Sequence, residues 1–261
     1  MKKYITEYQK RYWLHYYIKS NNLKGEKMTI NENELFDYIK CPCYYELKYI
    51  KKIRAEKNVS MSDLLDQIVR YYYTSLLQNK PYSMNDLKKK WDYICKKYST
   101  IINQERNIKG IGFIVNFVRW MNENNIKLVD FNSTYSIVFK DVEVIGTLGA
   151  VIAQPKRKCE LIITRFSQKK PDQNMLDKKL KYTLDCYAFK EAYEHDINMI
   201  RIINFKNNLE YITQRTQTDF DRLEKTIIGV ANGIKSKAFY PREESMYCSS
   251  CEMKQFCKFW C

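Results

Sequence analysis

Apolar residues recur at intervals of three and four in the first half of the chain, then in alternation or short blocks, and this change of period sets the expected architecture. Tyr4, Tyr8, Tyr12 and Tyr16, interleaved with Lys10, Arg11 and Lys19, predict a helix that ends in a loop at Asn21, Asn22 and Gly25. Residues 1–26 thus form an aromatic and basic N-terminal segment. From Asn31 to Ile50 a helical pattern (Leu35, Tyr38, Ile39) is interrupted by Pro42, which lacks an N–H, and resumes with Tyr44, Tyr45, Leu47 and Ile50. Ser60 or Ser62 is placed to cap a helix carrying Leu64, Leu65, Ile68, Val69, Tyr72 and Tyr73. Two more helices are predicted over 84–98 and 110–124.

After Asp130, Phe131–Phe139 and Asp141–Ala153 predict strands, with Ser133, Ser136, Gly146 and Gly149 at turns or bulges. Glu160–Phe166 is a third, β-branched run. Asp177–Tyr193 predicts a helix, Asn198–Phe205 a short buried strand and Asp219–Lys235 a helix. The order implies an α/β fold, with a central mixed β-sheet flanked by helices, a helical front section and a cysteine-rich tail. With no internal repeat or low-complexity linker, residues 27–261 read as one domain.

The 261 residues are 45% hydrophobic and 29% charged, the balance of a globular chain with a sizeable core. No run of 18 uncharged apolar residues suggests a membrane span, and the charged, tyrosine-rich start is unlike a signal peptide, so a cytoplasmic location is expected. A formal net charge of +15 favours a polyanionic partner, and nucleic acid is the commonest. An AT-rich genome that favours Lys and Asn would give the same excess with no partner implied. Nine cysteines in a reducing compartment are not a disulfide framework. Cys248, Cys251, Cys257 and Cys261 lie close to the chain end, and Cys41 and Cys43 flank Pro42, whereas Cys95, Cys159 and Cys186 read as packed thiols. Thiolates spaced as Cys248-x2-Cys251-x5-Cys257, with a fourth from Cys41 or Cys43, suit an iron-sulfur cluster or a structural zinc ion. Either would staple the two ends of the domain together.

Leu35 to Tyr38, Cys41-Pro42, Tyr44-Tyr45, then Phe239-Tyr240-Pro241 and the late cysteines resemble the PD-(D/E)XK nuclease superfamily, in particular its RecB-like branch that includes the CRISPR-associated iron-sulfur exonucleases. The resemblance runs from about residue 30 to 257 and implies a restriction-endonuclease-like core. It also implies a 4Fe-4S cluster on Cys41, Cys248, Cys251 and Cys257, with Cys43 and Cys261 as substitutes and zinc as the runner-up.

Members of that family hydrolyse phosphodiesters with Mg²⁺ or Mn²⁺ on two carboxylates, assisted by a lysine. The aspartate of their Gly-x-x-Asp turn aligns here with Gly149, and their (Asp/Glu)-x-Lys pair with Thr164 and Phe166. Their Gln-x-x-x-Tyr helix aligns with Thr183 and Tyr187, and an early histidine falls near Asp66. Mg²⁺ or Mn²⁺ is therefore not expected. Glu160 shares a strand face with Thr164, but at roughly 13 Å it is too distant to share one metal.

The resemblance thus implies a catalytically inactive nuclease-fold protein, a nucleic-acid-binding subunit of a larger DNA- or RNA-processing complex, with DNA favoured over RNA. Lys156, Arg157, Lys158, Arg165, Lys169, Lys170, Lys178 and Lys179 cluster around the former site and would contact the backbone. Two alternatives stand beside it. One is a protein-binding scaffold docking through Trp13, His15, Phe259 and Trp260. The other is a Mn²⁺-dependent nuclease with displaced ligands such as Asp66 or Glu160.

Overall fold

The computed structural model describes residues 27–55, 59–154, 158–166, 170–193, 197, 199–206, 209–242 and 246–258. The N-terminal segment 1–26, Lys156, Arg157, Lys169, Phe259, Trp260 and Cys261 lie outside these, as does the side chain of Lys158.

Strand β1 (Met28–Asn31) runs directly into helix α1 (Glu32–Lys40). Asn31 caps it: its side chain accepts from the Asn33 N–H, and Glu34 accepts from the Asn31 N–H. Pro42 opens the short helix α2 (Pro42–Tyr45), where its missing donor is harmless, and the chain continues as a π-helical turn, Glu46–Ile50. Three helices follow: α3 (Met61–Leu77), α4 (Met84–Lys97) and α5 (Gln104–Glu123). Ser60 and Ser83 start the first two through capping boxes with Asp63 and Asp86. Helix α5 begins before the expected residue 110 because Asn103 caps it and its first turns are mostly exposed, leaving little apolar signal there.

The strands β2 (Lys127–Asp130), β3 (Thr134–Phe139), β4 (Val142–Thr147), β5 (Ala150–Gln154), β6 (Lys158–Arg165), β7 (Met199–Asn204) and β8 (Leu209–Gln214) form two mixed sheets with β1. The smaller has order β1-β4-β3 and the larger β2-β5-β6-β7-β8. β6 and β7 are parallel, joined by the helical crossover α6 (Gln173–Asp177) and α7 (Leu180–Tyr193). Helix α8 (Gln217–Lys235), the one-turn α9 (Met246–Ser249) and a 3₁₀ turn, Lys254–Phe256, complete the described order.

Two expected elements are each divided. The strand expected over Asp141–Ala153 breaks at Leu148 and Gly149, so β4 pairs in the small sheet and β5 in the large one. The helix expected over Asp177–Tyr193 breaks at Lys178 and Lys179. Ser136, expected at a turn, lies inside β3 and donates to Glu143 across the pair.

Alternation along β6 divides the core. Leu161 packs with Leu35 of α1, Leu184 and Phe189 of α7 and Ile227 of α8. Ile162 and Phe166 face the other way, with Leu65, Trp91 and Phe117 of the α3–α5 layer. The α6–α7 break is held by Arg215, only 3% exposed, whose Nε donates to Thr183 Oγ1 (2.9 Å) and Nη2 to the Leu176 carbonyl (2.9 Å). Its Nη1 donates to Thr213 Oγ1 (2.7 Å) and the Gln214 carbonyl (2.8 Å). Arg215→Met removes all four of these bonds at once from a buried position and is expected to cost about 3 kcal/mol or more. Urea unfolding checks this as a fall in midpoint at unchanged slope; a loss below ~1 kcal/mol would show that these bonds do not hold the break.

Candidate functional site

The kink between β4 and β5 brings three charged side chains together. Glu32, the first residue of α1, is buried, and its Oε2 accepts from the Tyr135 hydroxyl (2.9 Å) and the Thr147 N–H (3.3 Å). Its Oε1 lies 2.8 Å from Lys181 Nζ, which also lies 2.6 Å from Asp185 Oδ1, one turn along α7. Lys181 Nζ further reaches the Thr147 carbonyl at 3.4 Å. Gly146 is required here by close approach: a Cβ would stand 2.4 Å from both Glu32 Oε2 and the Tyr135 hydroxyl oxygen.

Electrostatics agree with this arrangement. Burial pushes the Asp185 carboxyl up to about 6, against the pull of Lys181 and of the Gly149 N–H that it accepts. Burial alone would lower the Lys181 ammonium, but Asp185 and Glu32 hold it above the ordinary lysine value. The lysine is thus a half-buried cation between two carboxylates that are themselves nearly shut off from solvent.

Gly149 points at this cluster, since a Cβ there would lie 3.8 Å from Asp185 Oδ2 and 3.2 Å from Leu161 Cδ1. Ile163 Cδ1 is on the same side, at 3.9 Å, so Leu161, Ile163 and Arg165 share the face of β6 toward α7. Thr164 and Phe166 take the opposite face, and Phe166 packs on Phe113 and Phe205. The sequence-based placement of the second carboxylate and the lysine at Thr164 and Phe166 is one residue out of register with the face that carries Asp185. Ile163 and Arg165 occupy that face. None of Gly149, Ile163 or Thr164 offers a carboxylate, so the positions inferred from the resemblance do not fit a Mg²⁺ or Mn²⁺ ion.

The other candidates fall elsewhere. Thr183 is fully buried and accepts from Arg215, and Tyr187 packs on Phe139 and Phe220. Glu160 pairs with Arg201 (3.0 Å), which also holds Glu210 (2.7 Å). Asp66 lies on α3, in the layer that covers the other face of the large sheet.

Of the proposed backbone-contacting residues, Lys178 and Lys179 meet in one open groove of about 400 Å³ between α1 and the α6–α7 break. Phe36, Ile39, Met175 and Leu180 give it apolar walls, and Lys181 lies at its inner end. Lys178 and Lys179 are exposed, with no carboxylate partner among the described residues. Arg165 is near enough to Tyr182 to oppose the burial that raises its phenol, and Lys170 is exposed ahead of α6. Sequence reasoning missed Glu32, Lys181 and the role of Asp185, because Glu32 is remote in sequence and Lys181 with Asp185 looks like any surface i,i+4 pair.

The cysteines form a second neighbourhood. The Cys43 N–H donates to the Tyr240 carbonyl (3.1 Å), and Cys43, Tyr44 and Leu47 pack on Met253 with Cys41, Cys251 and Cys257 around them. Burial, then Cys257 and Cys41, pushes the Cys43 thiol up to about 12. Burial also raises the Cys251 thiol, which senses Cys41 and Cys248. Both chain segments therefore contribute thiols to one half-buried region. Their chemistry fits a thiophilic metal centre, although among the described residues no three His, Cys, Asp or Glu side chains close on a common point.

Burial pushes Asp66 up to about 6, with Arg70 opposing and Asp63 adding to the shift. A carboxyl raised on folding adds stability that is complete below its unfolded value of about 4 and is lost as pH rises through about 6. Asp66→Asn is therefore expected to raise the melting temperature by a few degrees at pH 8 and to leave it unchanged at pH 3.5, a contrast that thermal unfolding at the two pH values checks.

No protein-family model matches the chain, and no curated protein does. Among solved structures, a crystal structure named "Putative exonuclease" from Eubacterium rectale is 11% identical, with a TM-score of 0.51 over 87% of this chain and 87% of that one. Another, of SSO0001, is 15% identical over 100% of this chain and 97% of that one, with a TM-score of 0.40. The first likeness shows a shared mixed α/β fold.

Proposed function

We propose that this chain is a nuclease-fold protein that binds nucleic acid without cleaving it, carries a 4Fe-4S cluster and serves in a larger DNA- or RNA-processing assembly. The observation that carries the non-catalytic reading is the Lys181 ammonium held between Glu32 and Asp185 beside Gly149, where an aspartate would be needed. Binding is supported by the groove, whose unpaired Lys178 and Lys179 suit phosphates and whose Phe36 and Met175 walls suit bases. The exonuclease name of the Eubacterium rectale structure agrees with a nucleic-acid partner. The exposed rings of Tyr240 and Phe256 beside the cysteine region offer apolar surface to a protein partner.

Cys41, Cys248, Cys251 and Cys257 are the proposed cluster ligands, with Cys43 as the substitute. A second reading, a Mn²⁺-dependent nuclease, draws support from the same Glu32 and Asp185, two carboxylates beside a lysine. Cleavage in Mn²⁺ that Glu32→Gln and Asp185→Asn both abolish would establish it.

Mobility-shift titration of anaerobically purified protein against single- and double-stranded DNA and RNA is expected to show retardation without cleavage. Lys178→Glu with Lys179→Glu should weaken single-strand binding about tenfold or more and reduce the salt slope by roughly 1.4. Lys96→Glu with Lys97→Glu, on exposed α4 positions, should change it far less; equal losses would make the effect one of net charge alone. Iron and acid-labile sulfide should each approach ~4 per chain and fall sharply in Cys257→Ala, whereas one zinc per chain would exclude the cluster.

A further inference from the structure

Three oxygens surround the Lys181 ammonium: Asp185 Oδ1 at 2.6 Å, Glu32 Oε1 at 2.8 Å and the Thr147 carbonyl at 3.4 Å. Two carboxylates and a main-chain carbonyl are ligand types that a hard divalent cation takes from proteins. They come from three different elements, α1, the end of β4 and α7, so the fold rather than one helix assembles them. The residues inferred from the resemblance, Gly149, Thr164 and Phe166, supply no such set.

We propose that Lys181 is a resident cation standing in for a divalent metal ion, and that Glu32, Asp185 and the Thr147 carbonyl form a latent Mn²⁺ or Mg²⁺ site which its ammonium keeps closed. One positive charge faces two carboxylates, so the cluster retains an excess negative charge that a divalent ion would cancel. The ammonium prevails over a free ion because it is tethered one helical turn from Asp185, at an effective concentration far above that of the metal. Bonds of 2.6 and 2.8 Å exceed the ~2.1 Å of a Mg²⁺–oxygen contact, so an incoming ion would draw the two carboxylates inward once the lysine is gone.

This rests on the non-catalytic reading, and the two can fail separately. The full-length chain, freed of divalent ions, is titrated with Mn²⁺ as wild type, as Lys181→Met and as Lys181→Met with Asp185→Asn. Electron paramagnetic resonance reads bound Mn²⁺, and thermal unfolding reads stabilisation. The wild type should bind no tight ion. Lys181→Met should bind about one Mn²⁺ per chain and melt roughly 5 °C higher with the metal than without. The double variant, with one buried charge removed, should fold without metal and bind none.

A wild type that binds Mn²⁺ as tightly as Lys181→Met overturns the proposal, because the lysine then closes nothing. So does a folded Lys181→Met that binds no ion, or an unfolded one that Mn²⁺ does not restore. Cleavage of nucleic acid by the wild type would instead overturn the non-catalytic reading. An uncleaving wild type beside a Lys181→Met protein that ignores Mn²⁺ would remove the latent site and leave that reading standing.

Discussion

A lysine ammonium held among Glu32, Asp185 and the Thr147 carbonyl constrains most of the chain around it. Partly withdrawing such a charge from water, and burying the two carboxylates that face it, is unfavourable unless all of the partners stay in place. Glu32 must therefore start α1 directly after β1, and β4 must end where its last carbonyl can turn inward. Gly146 must lack a side chain, because Glu32 and Tyr135 occupy that space. Helix α7 must present Lys181 and Asp185 on one face, and Arg215 sets its beginning by holding the Leu176 carbonyl and Thr183.

Helix α1 links this cluster to the cysteine region. Glu32 is its first residue and Cys41 follows its last, about 13 Å along the axis. Between them Leu35 and Tyr38 enter the core, and the Tyr38 hydroxyl donates to the Ala238 carbonyl (2.9 Å), fixing the segment that leads to the cysteine tail. Phe36 and Ile39 line the basic groove. Any movement of the tail caused by gain or loss of a metal centre would thus be transmitted to the groove wall and to Glu32 by one rigid element.

The legible parts of the fold were those with local signals. Ser60 and Ser83 announce their helices through capping boxes, and the long apolar repeats of α3 and α4 leave no ambiguity. The strands β1, β2 and β8 were missed because they are short and mixed in polarity. In β6 the run Leu161-Ile162-Ile163 is apolar on both faces, since helices cover the sheet on each side. Period-two reasoning then has no polar marker for the face toward α7, so the sequence alone does not show that Ile163 and Arg165, rather than Thr164 and Phe166, lie on it. The cysteines at the two ends were readable as a set because thiols are rare and their spacing is short. The Glu32 cluster was not, since it joins residues from both halves of the chain through a bend with no sequence signature beyond Gly146.

The lysines at the start of α7 stand in two different environments. Lys181 is neutralised within the protein, whereas Lys178 and Lys179, at the break preceding it, have no described carboxylate to answer them. Were the break absent, the helix would run on through 178 and 179 and turn these side chains around its axis instead of gathering them on the groove. Arg215 shares the Leu176 carbonyl with the Lys179 N–H at the end of α6, and the two lysines that follow are exposed beside the apolar wall of the groove. Among the described residues, the groove side of this helix start therefore carries positive charge that no carboxylate answers, set beside the apolar surface of Phe36 and Met175.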